Sequence, residues 1–167
     1  MTFLNIRKAT ENDAFAVSTI YNHYIDNSHA TFEVERIDAN EMHRRINEIQ
    51  AGGYPFLICQ DEDEIVGYAY ANRYKARLAY QHSVEVTVYI KDGFAGKGVG
   101  TLLYEQLFSE LKNRNIHAVI AGISQPNDAS VRLHEKFGME KVAHFREVGR
   151  KFDRWIDVGY WERVIAK

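Results

Sequence analysis

Three glycines spaced two residues apart, Gly96, Gly98 and Gly100, sit inside Val84–Tyr104 (VEVTVYIKDGFAGKGVGTLLY). An alternating apolar run, a glycine loop and the first turn of an amphipathic helix together make a device for holding phosphates. Glycine lets the backbone bend tightly and approach a ligand, while the helix offers free N–H groups at the positive end of its dipole. Spacing separates the versions of this device. A Walker loop needs Ser or Thr after its lysine, but Lys97 is followed by Gly98. A dinucleotide fingerprint of the form G-x-G-x-x-G needs a glycine at position 101, where the chain has Thr101. By itself the loop reads as a turn with room for a phosphate.

Other chemistry-bearing residues are sparse. His23, His29, His43, His82, His117 and His144 show no metal-ligand spacing, so no metal site is expected. The single cysteine, Cys59, lies in an apolar run with no base beside it in sequence and reads as a buried strand residue. One cysteine excludes a disulfide within the chain and fits a reducing compartment. The N-terminal stretch has no run apolar enough for a signal peptide or membrane span, so a cytoplasmic location is expected, without a membrane partner. Net charge is −2 over 167 residues, which leaves no electrostatic footprint for nucleic acid. With 46% hydrophobic and 26% charged residues, the chain is expected to form one domain, 1–167, with a core that needs no staples.

The elements that position these residues follow from periodicity. Phe3, Leu4 and Ile6 predict a short strand. Thr10 and Asp13 form an acidic capping box before a helix carrying Val17, Ile20, Tyr21 and Tyr24 to about Ile25. Asp38 with Glu41 caps a second helix, ended by Gly52-Gly53. Pro55–Cys59 and Ile65–Tyr74 predict strands joined by the acidic turn Asp61–Glu64, followed by the strand Val84–Ile90. A helix is expected over Thr101–Asn113, a strand over Ala118–Ile123 and a short helix over Ala129–Phe137, stopped by Gly138. The tail Glu140–Ile165 predicts two antiparallel strands that turn at Gly149-Arg150-Lys151. This order implies an α/β fold built on a mixed sheet with helices on both faces.

The glycine loop Ala95–Gly100, followed by Asn127, Ala129, Leu133 and Phe137-Gly138, resembles the GNAT superfamily of acyl-CoA-dependent N-acetyltransferases. Further stretches, TFEVE (Thr31–Glu35), YKAR with Tyr80, PNDASVRLHEKFGM and GRKFDRWIDVGYWER, are similar to its phosphinothricin and methionine sulfone/sulfoximine acetyltransferase branch across nearly the whole chain. The resemblance implies a mostly antiparallel sheet of about seven strands, acetyl-CoA as co-substrate, a small-molecule amine acceptor and a homodimer. The family pattern places a carboxylate at Glu85, a base for the acceptor ammonium. His134 stands where many members carry a tyrosine that protonates the departing thiolate, and a histidine can act as acid or base near neutral pH. Backbone of Val86, Thr87 and Val88 would meet the pantetheine arm. Ala95, Gly96, Lys97, Gly98, Val99 and Gly100 would meet the pyrophosphate, and Asn127 the pantetheine or the adjoining backbone. Ala95 departs from the usual Gln or Arg and removes one side-chain contact. Phe32, Glu33, Lys75, Arg77 and Tyr80 would form the acceptor pocket, with the two cations pairing a carboxylate or a tetrahedral oxygen. The implied reaction is direct transfer to an α-amine. The alternatives are another amine, such as a polyamine or a protein N-terminus, or a non-catalytic acyl-CoA sensor.

Overall fold

A computed structural model describes residues 3–165. Seven strands form one sheet in the order β1-β2-β3-β4-β5-β7-β6. The strands are β1 (Leu4–Lys8), β2 (Phe56–Asp61), β3 (Glu64–Arg73), β4 (Ser83–Ile90), β5 (Ala118–Ser124), β6 (Glu140–Lys151) and β7 (Arg154–Val164). Every neighbouring pair is antiparallel except β4 and β5. Four helices, α1 (Ala14–Asn27), α2 (Ala39–Ala51), α3 (Val99–Lys112) and α4 (Asp128–Lys136), complete the fold.

Alternation along the strands decides which helix covers which face. Phe56, Ile58 and Tyr68 meet Val17, Ile20 and Ile25 of α1 and Met42, Ile46 and Ile49 of α2. The intervening Leu57 and Cys59, with Val66, Val84, Val86 and Val119, meet Leu103, Leu107 and Leu111 of α3. Cys59 is fully buried, and burial pushes its thiol up to about 11, which leaves it a packing residue. On β4, therefore, Val84, Val86 and Val88 look toward α3. Glu85, Thr87 and Tyr89 take the opposite face, where the Tyr89 ring meets Tyr21 at 5.3 Å and Tyr24 at 5.0 Å.

Local signals fix the helix starts. Asp13 accepts the Thr10 N–H at 2.7 Å and receives Arg7 through two bonds of 2.7 Å. These bonds outweigh the effect of burial and hold its carboxyl below the usual range. Asp38 Oδ1 accepts the Glu41 N–H at 2.8 Å. Helix α3 begins two residues earlier than its periodicity predicts, because Gly98 adopts φ 85° and is the cap itself.

The expected turn at Gly149-Arg150-Lys151 is a correction. Strand β6 runs through to Lys151, and the chain reverses at Phe152 and Asp153, with φ of 51° and 57°. Two tertiary contacts explain this. Gly149 lies under the Phe32 ring, where a Cβ would come within 2.3 Å of Cε2, so its glycine serves a close approach. Lys151, only 4% exposed, turns inward and donates to the carbonyls of Tyr24 (3.4 Å), Ser28 (2.6 Å) and Thr31 (2.9 Å). Its ammonium ties the end of α1 and the segment after it to the hairpin. Lys151→Met keeps the apolar stem and removes the donors, so buried carbonyls lose their partner. The variant should lose about 1–3 kcal/mol of stability, read as a lower urea midpoint at an unchanged slope.

Candidate active site

The site originates where β4 and β5 separate. Their parallel pairing covers only Ser83–Glu85 against Ala118–Ile120. Beyond it, β4 continues to Ile90 and β5 to Ser124 without pairing each other. The gap opens into a cavity of about 710 Å³, lined by Glu85–Ile90, by the loop and first turn of α3, by Gly122–Ser124 and by α4. That volume is in the range of a small-molecule or cofactor site.

At one end lies the glycine loop. Gly96 (φ 76°) and Gly98 (φ 85°) hold a backbone that L side chains rarely adopt, and no atom lies within 4 Å of either Cβ position. Their glycines are therefore required by conformation, and they leave the loop open toward the cavity. Gly100 differs: a Cβ there would lie 3.0 Å from Leu133 Cδ2, so it lets α3 touch α4. Ala95, Gly96, Gly98, Val99 and Gly100 all line the cavity. Lys97 is outside the lining, with its ammonium 4.5 Å from the ring centre of Phe94, which is in it. Together the open glycine cradle, the free N-terminal turn of α3 and the unpaired edge of β4 fit the pyrophosphate and amide-bearing arm of coenzyme A.

Glu85 stands where the strands part. It is half-buried and makes no ion pair among the described residues, and burial pushes its carboxyl above the ordinary range. Its Oε1 reaches over Gly122, within 3.7 Å of where a Cβ would stand. Thr87 is on the same face, and Val86 and Val88 line the cavity with it.

His134 lines the cavity from α4 but is only 3% exposed. Its Nδ1 lies 2.7 Å from the Ser130 carbonyl oxygen and its Nε2 2.8 Å from the Tyr104 hydroxyl. A carbonyl only accepts, so Nδ1 carries the proton, and in the neutral ring Nε2 accepts from Tyr104. Burial lowers its pKa, with the Ser130 carbonyl opposing the shift. Asn127 lines the cavity and also caps α4, accepting the Ser130 N–H at 3.2 Å.

None of the five anticipated acceptor residues lines this cavity. Glu33 is bound by Arg45 through bonds of 2.6 and 2.9 Å, which hold its carboxyl low. Phe32 covers Gly149. Lys75 lies over the rings of Tyr74 (5.1 Å) and Tyr80 (5.4 Å), and Arg77 is exposed just before the short turn Leu78–Tyr80. The cavity wall instead includes Tyr24, Ala30 and Thr31, which carried no local signal for it. Ser124, on the opposite wall, donates to the His29 carbonyl at 2.7 Å, so the His29 Nδ1–H donates back to Ser124 Oγ at 2.9 Å. Tyr89 donates to the Ala30 carbonyl at 3.2 Å. Among the described residues no group of three or more His, Cys, Asp or Glu side chains could hold a metal ion.

Known proteins are similar to this chain over nearly its whole length. The acetyltransferase (GNAT) domain profile matches residues 6–159. A phosphinothricin N-acetyltransferase of Streptomyces coelicolor is 41% identical over 167 residues, covering 97% of this chain and 96% of that protein. An L-methionine sulfoximine/L-methionine sulfone acetyltransferase of Salmonella typhimurium is 31% identical, covering 95% and 93%. A Salmonella typhimurium structure containing its cofactor acetyl-CoA superposes with a TM-score of 0.95 at 30% identity, covering 98% of this chain and 95% of that one. A chain matched over this length and built around an open glycine loop and a strand gap belongs to the GNAT acetyltransferase family, as an N-acetyltransferase of the phosphinothricin and methionine sulfoximine branch.

Proposed function

We propose that the protein moves an acetyl group from acetyl-CoA directly to the α-amine of a small amino acid analogue of the phosphinothricin, methionine sulfoximine or methionine sulfone type. The carrying observation is Glu85, a half-buried carboxylate with no pairing cation at the point where β4 and β5 part. Bound acetyl-CoA supplies the activated thioester carbonyl. The glycine loop and the α3 N-terminus hold its phosphates, and the open edge of β4 pairs with its amides. Glu85 takes the proton from the arriving ammonium and frees the nitrogen lone pair for attack. The raised carboxyl makes it a better base than an exposed glutamate. A backbone N–H near Val88 is the candidate donor to the carbonyl oxygen as charge develops there.

His134 enters this reading with a restricted role. Its neutral ring has both nitrogens committed, so it holds α4 against Tyr104 of α3 and keeps Asn127 and Ser130 on the cavity wall. A neutral imidazole that lost its Nδ1 proton would be left an imidazolate, so the proton for the departing thiolate is read as the one Glu85 has taken from the ammonium, given back by its carboxyl. Lys75 and Arg77 are read as the cations that meet the acceptor's acidic groups from outside the cavity rim. Phe32, Glu33 and Tyr80 border the same approach. A cytoplasmic location agrees with the reduced Cys59. A homodimer is supported by the exposed Val142, Phe145, Val148, Phe152 and Trp155 on the edge hairpin β6–β7, an apolar surface of a kind that marks association.

Thiol release with acetyl-CoA and L-phosphinothricin, methionine sulfoximine, methionine sulfone, spermidine or peptides tests the assignment. Turnover confined to spermidine or peptides rejects the amino acid acceptor, and no turnover with any of them favours an acyl-CoA sensor. Glu85→Gln should lower kcat by about 10²–10⁴-fold, and the wild-type rate should fall on the acid side with a midpoint above the ordinary carboxylate range. Unchanged kcat in this variant removes Glu85 from the chemistry.

The same residue makes a stability prediction of opposite sign. Native Glu85 keeps its proton to higher pH than the unfolded chain does. Its contribution to stability is therefore most favourable in acid and is lost as pH rises through the raised value. Glu85→Gln should melt at a higher temperature than wild type at about pH 8, with the difference vanishing near roughly pH 4. A variant that melts lower at both values would show that the carboxylate stabilises the fold.

A further inference from the structure

The face of the sheet that carries Glu85 also carries a residue that neither the glycine loop nor the acyl-CoA groove uses. Tyr160 of β7 is directly opposite Gly122 of β5. A Cβ at Gly122 would lie 3.2 Å from Tyr160 Cε1, 3.5 Å from its Cζ and 3.7 Å from Glu85 Oε1. The aromatic ring and the carboxylate therefore converge on one point above a residue with no side chain. Gly122 is exposed and lines the cavity, so this point is accessible from it. Phe145 backs the Tyr160 ring edge-to-face at 5.5 Å and fixes its orientation.

We infer that Tyr160 is a binding residue for the acceptor in its ammonium form, holding the cation between its ring and the Glu85 carboxylate on the floor left by Gly122. An ammonium is attracted both to a carboxylate and to the electron-rich part of an aromatic ring. The two partners differ in what they do next. Glu85 can take the proton, whereas the ring attracts the charge without competing for it. A second carboxylate in place of Tyr160 would hold the ammonium more firmly in its protonated form and oppose the deprotonation that attack requires. The phenol itself stays neutral: burial first, then Glu85 and Tyr74, push its pKa up. Lys75 rests on the rings of Tyr74 and Tyr80. The inference rests on the reading of Glu85 as the base for an amine acceptor.

Binding can be read without turnover by calorimetric titration of L-phosphinothricin and methionine sulfone into protein saturated with CoA. Tyr160→Leu should bind the amine about tenfold more weakly, with its Kd for acetyl-CoA within about twofold of wild type. Tyr160→Phe keeps the ring and should restore affinity to within about threefold of wild type. Tyr160→Met, which keeps more bulk, serves if the leucine variant does not melt as a folded protein. Wild-type affinity in Tyr160→Leu or Tyr160→Met overturns the inference, as does a phenylalanine variant as weak as the leucine one. Absence of amine binding by the wild-type protein also overturns it. Thiol release is measured separately on the same samples. A protein that binds the amine through Tyr160 yet transfers nothing would keep the ammonium site and lose the proposed function.

Discussion

The rest of the structure depends on a ladder that stops early. Parallel strands β4 and β5 pair over three residues and then diverge, so the inner edge of β4 beyond Glu85 has no strand to bond with. Backbone N–H and C=O groups shut away without partners are costly, so such an edge must face water or a ligand that bonds like a strand. The arrangement around it follows from keeping it open. Helix α3 is anchored by Leu103, Leu107 and Leu111 under the sheet. Its first turn, freed by the left-handed Gly98, points at the gap. Helix α4 closes the other wall, touching α3 through Leu133 at Gly100 and through the His134–Tyr104 hydrogen bond. On the far side, Tyr24 donates to the Ile90 carbonyl at 2.5 Å and seals the end of β4 with a side chain instead of a strand.

Charge is distributed along this gap in a way that would separate the two halves of the proposed reaction. At the phosphate end, Lys97 lies over Phe94, and Lys136 donates to Thr101 Oγ1 at 3.2 Å, within the cavity lining. Lys91 is nearby but is already paired with Glu64. At the other end the Glu85 carboxylate has no cationic partner among the described residues. A lysine beside Glu85 would lower its pKa and weaken it as a base, and aromatic and hydroxyl groups occupy that side instead. The dipole of α3 adds to the division, because its positive end faces the loop.

Features set by local sequence were legible; those set by register were not. The glycine loop, the cap at Asp38 and the acidic turn at Asp61–Glu64 are short-range, since each is made by residues within a few positions of one another. The β6–β7 turn was misplaced because Gly149-Arg150-Lys151 carries a good turn signal. Phe32 on Gly149 and the carbonyls around Lys151, more than 100 residues away in sequence, draw that segment into a strand. Glu33 is assigned to the acceptor pocket by resemblance alone, and the partner that holds it, Arg45, is 12 residues on in α2. Tyr160 could not be singled out from the alternating aromatics of the tail. Only the pairing of β5 with β7 places it opposite Gly122, and only the pairing of β4 with β5, which sets Glu85 beside Ile120, brings that carboxylate to the same face two residues from Gly122.

The segment 28–31, which gives Ala30 and Thr31 to the cavity wall, shows how a connection can be made firm. Loops tend to be mobile because their backbone groups bond to water. Here Ser28 and Thr31 give their carbonyls to Lys151, Ala30 gives its carbonyl to Tyr89, and His29 and Ser124 exchange two hydrogen bonds. Thr31 Oγ1 is 2.7 Å from the Tyr21 hydroxyl. Three of the four partners come from sheet strands and the fourth from α1, so the segment takes its position from the sheet instead of its own preferences. The lysine is suited to the task because its compact ammonium can serve several carbonyls at once, where a planar guanidinium would be steered toward a paired acceptor. The consequence reaches the chemistry: the wall over β4 is set before any ligand arrives, and the same hairpin that carries Lys151 also carries Tyr160 beside Glu85. Acceptor side and cavity wall are therefore fixed by one element, and a displacement of β6–β7 would move both together.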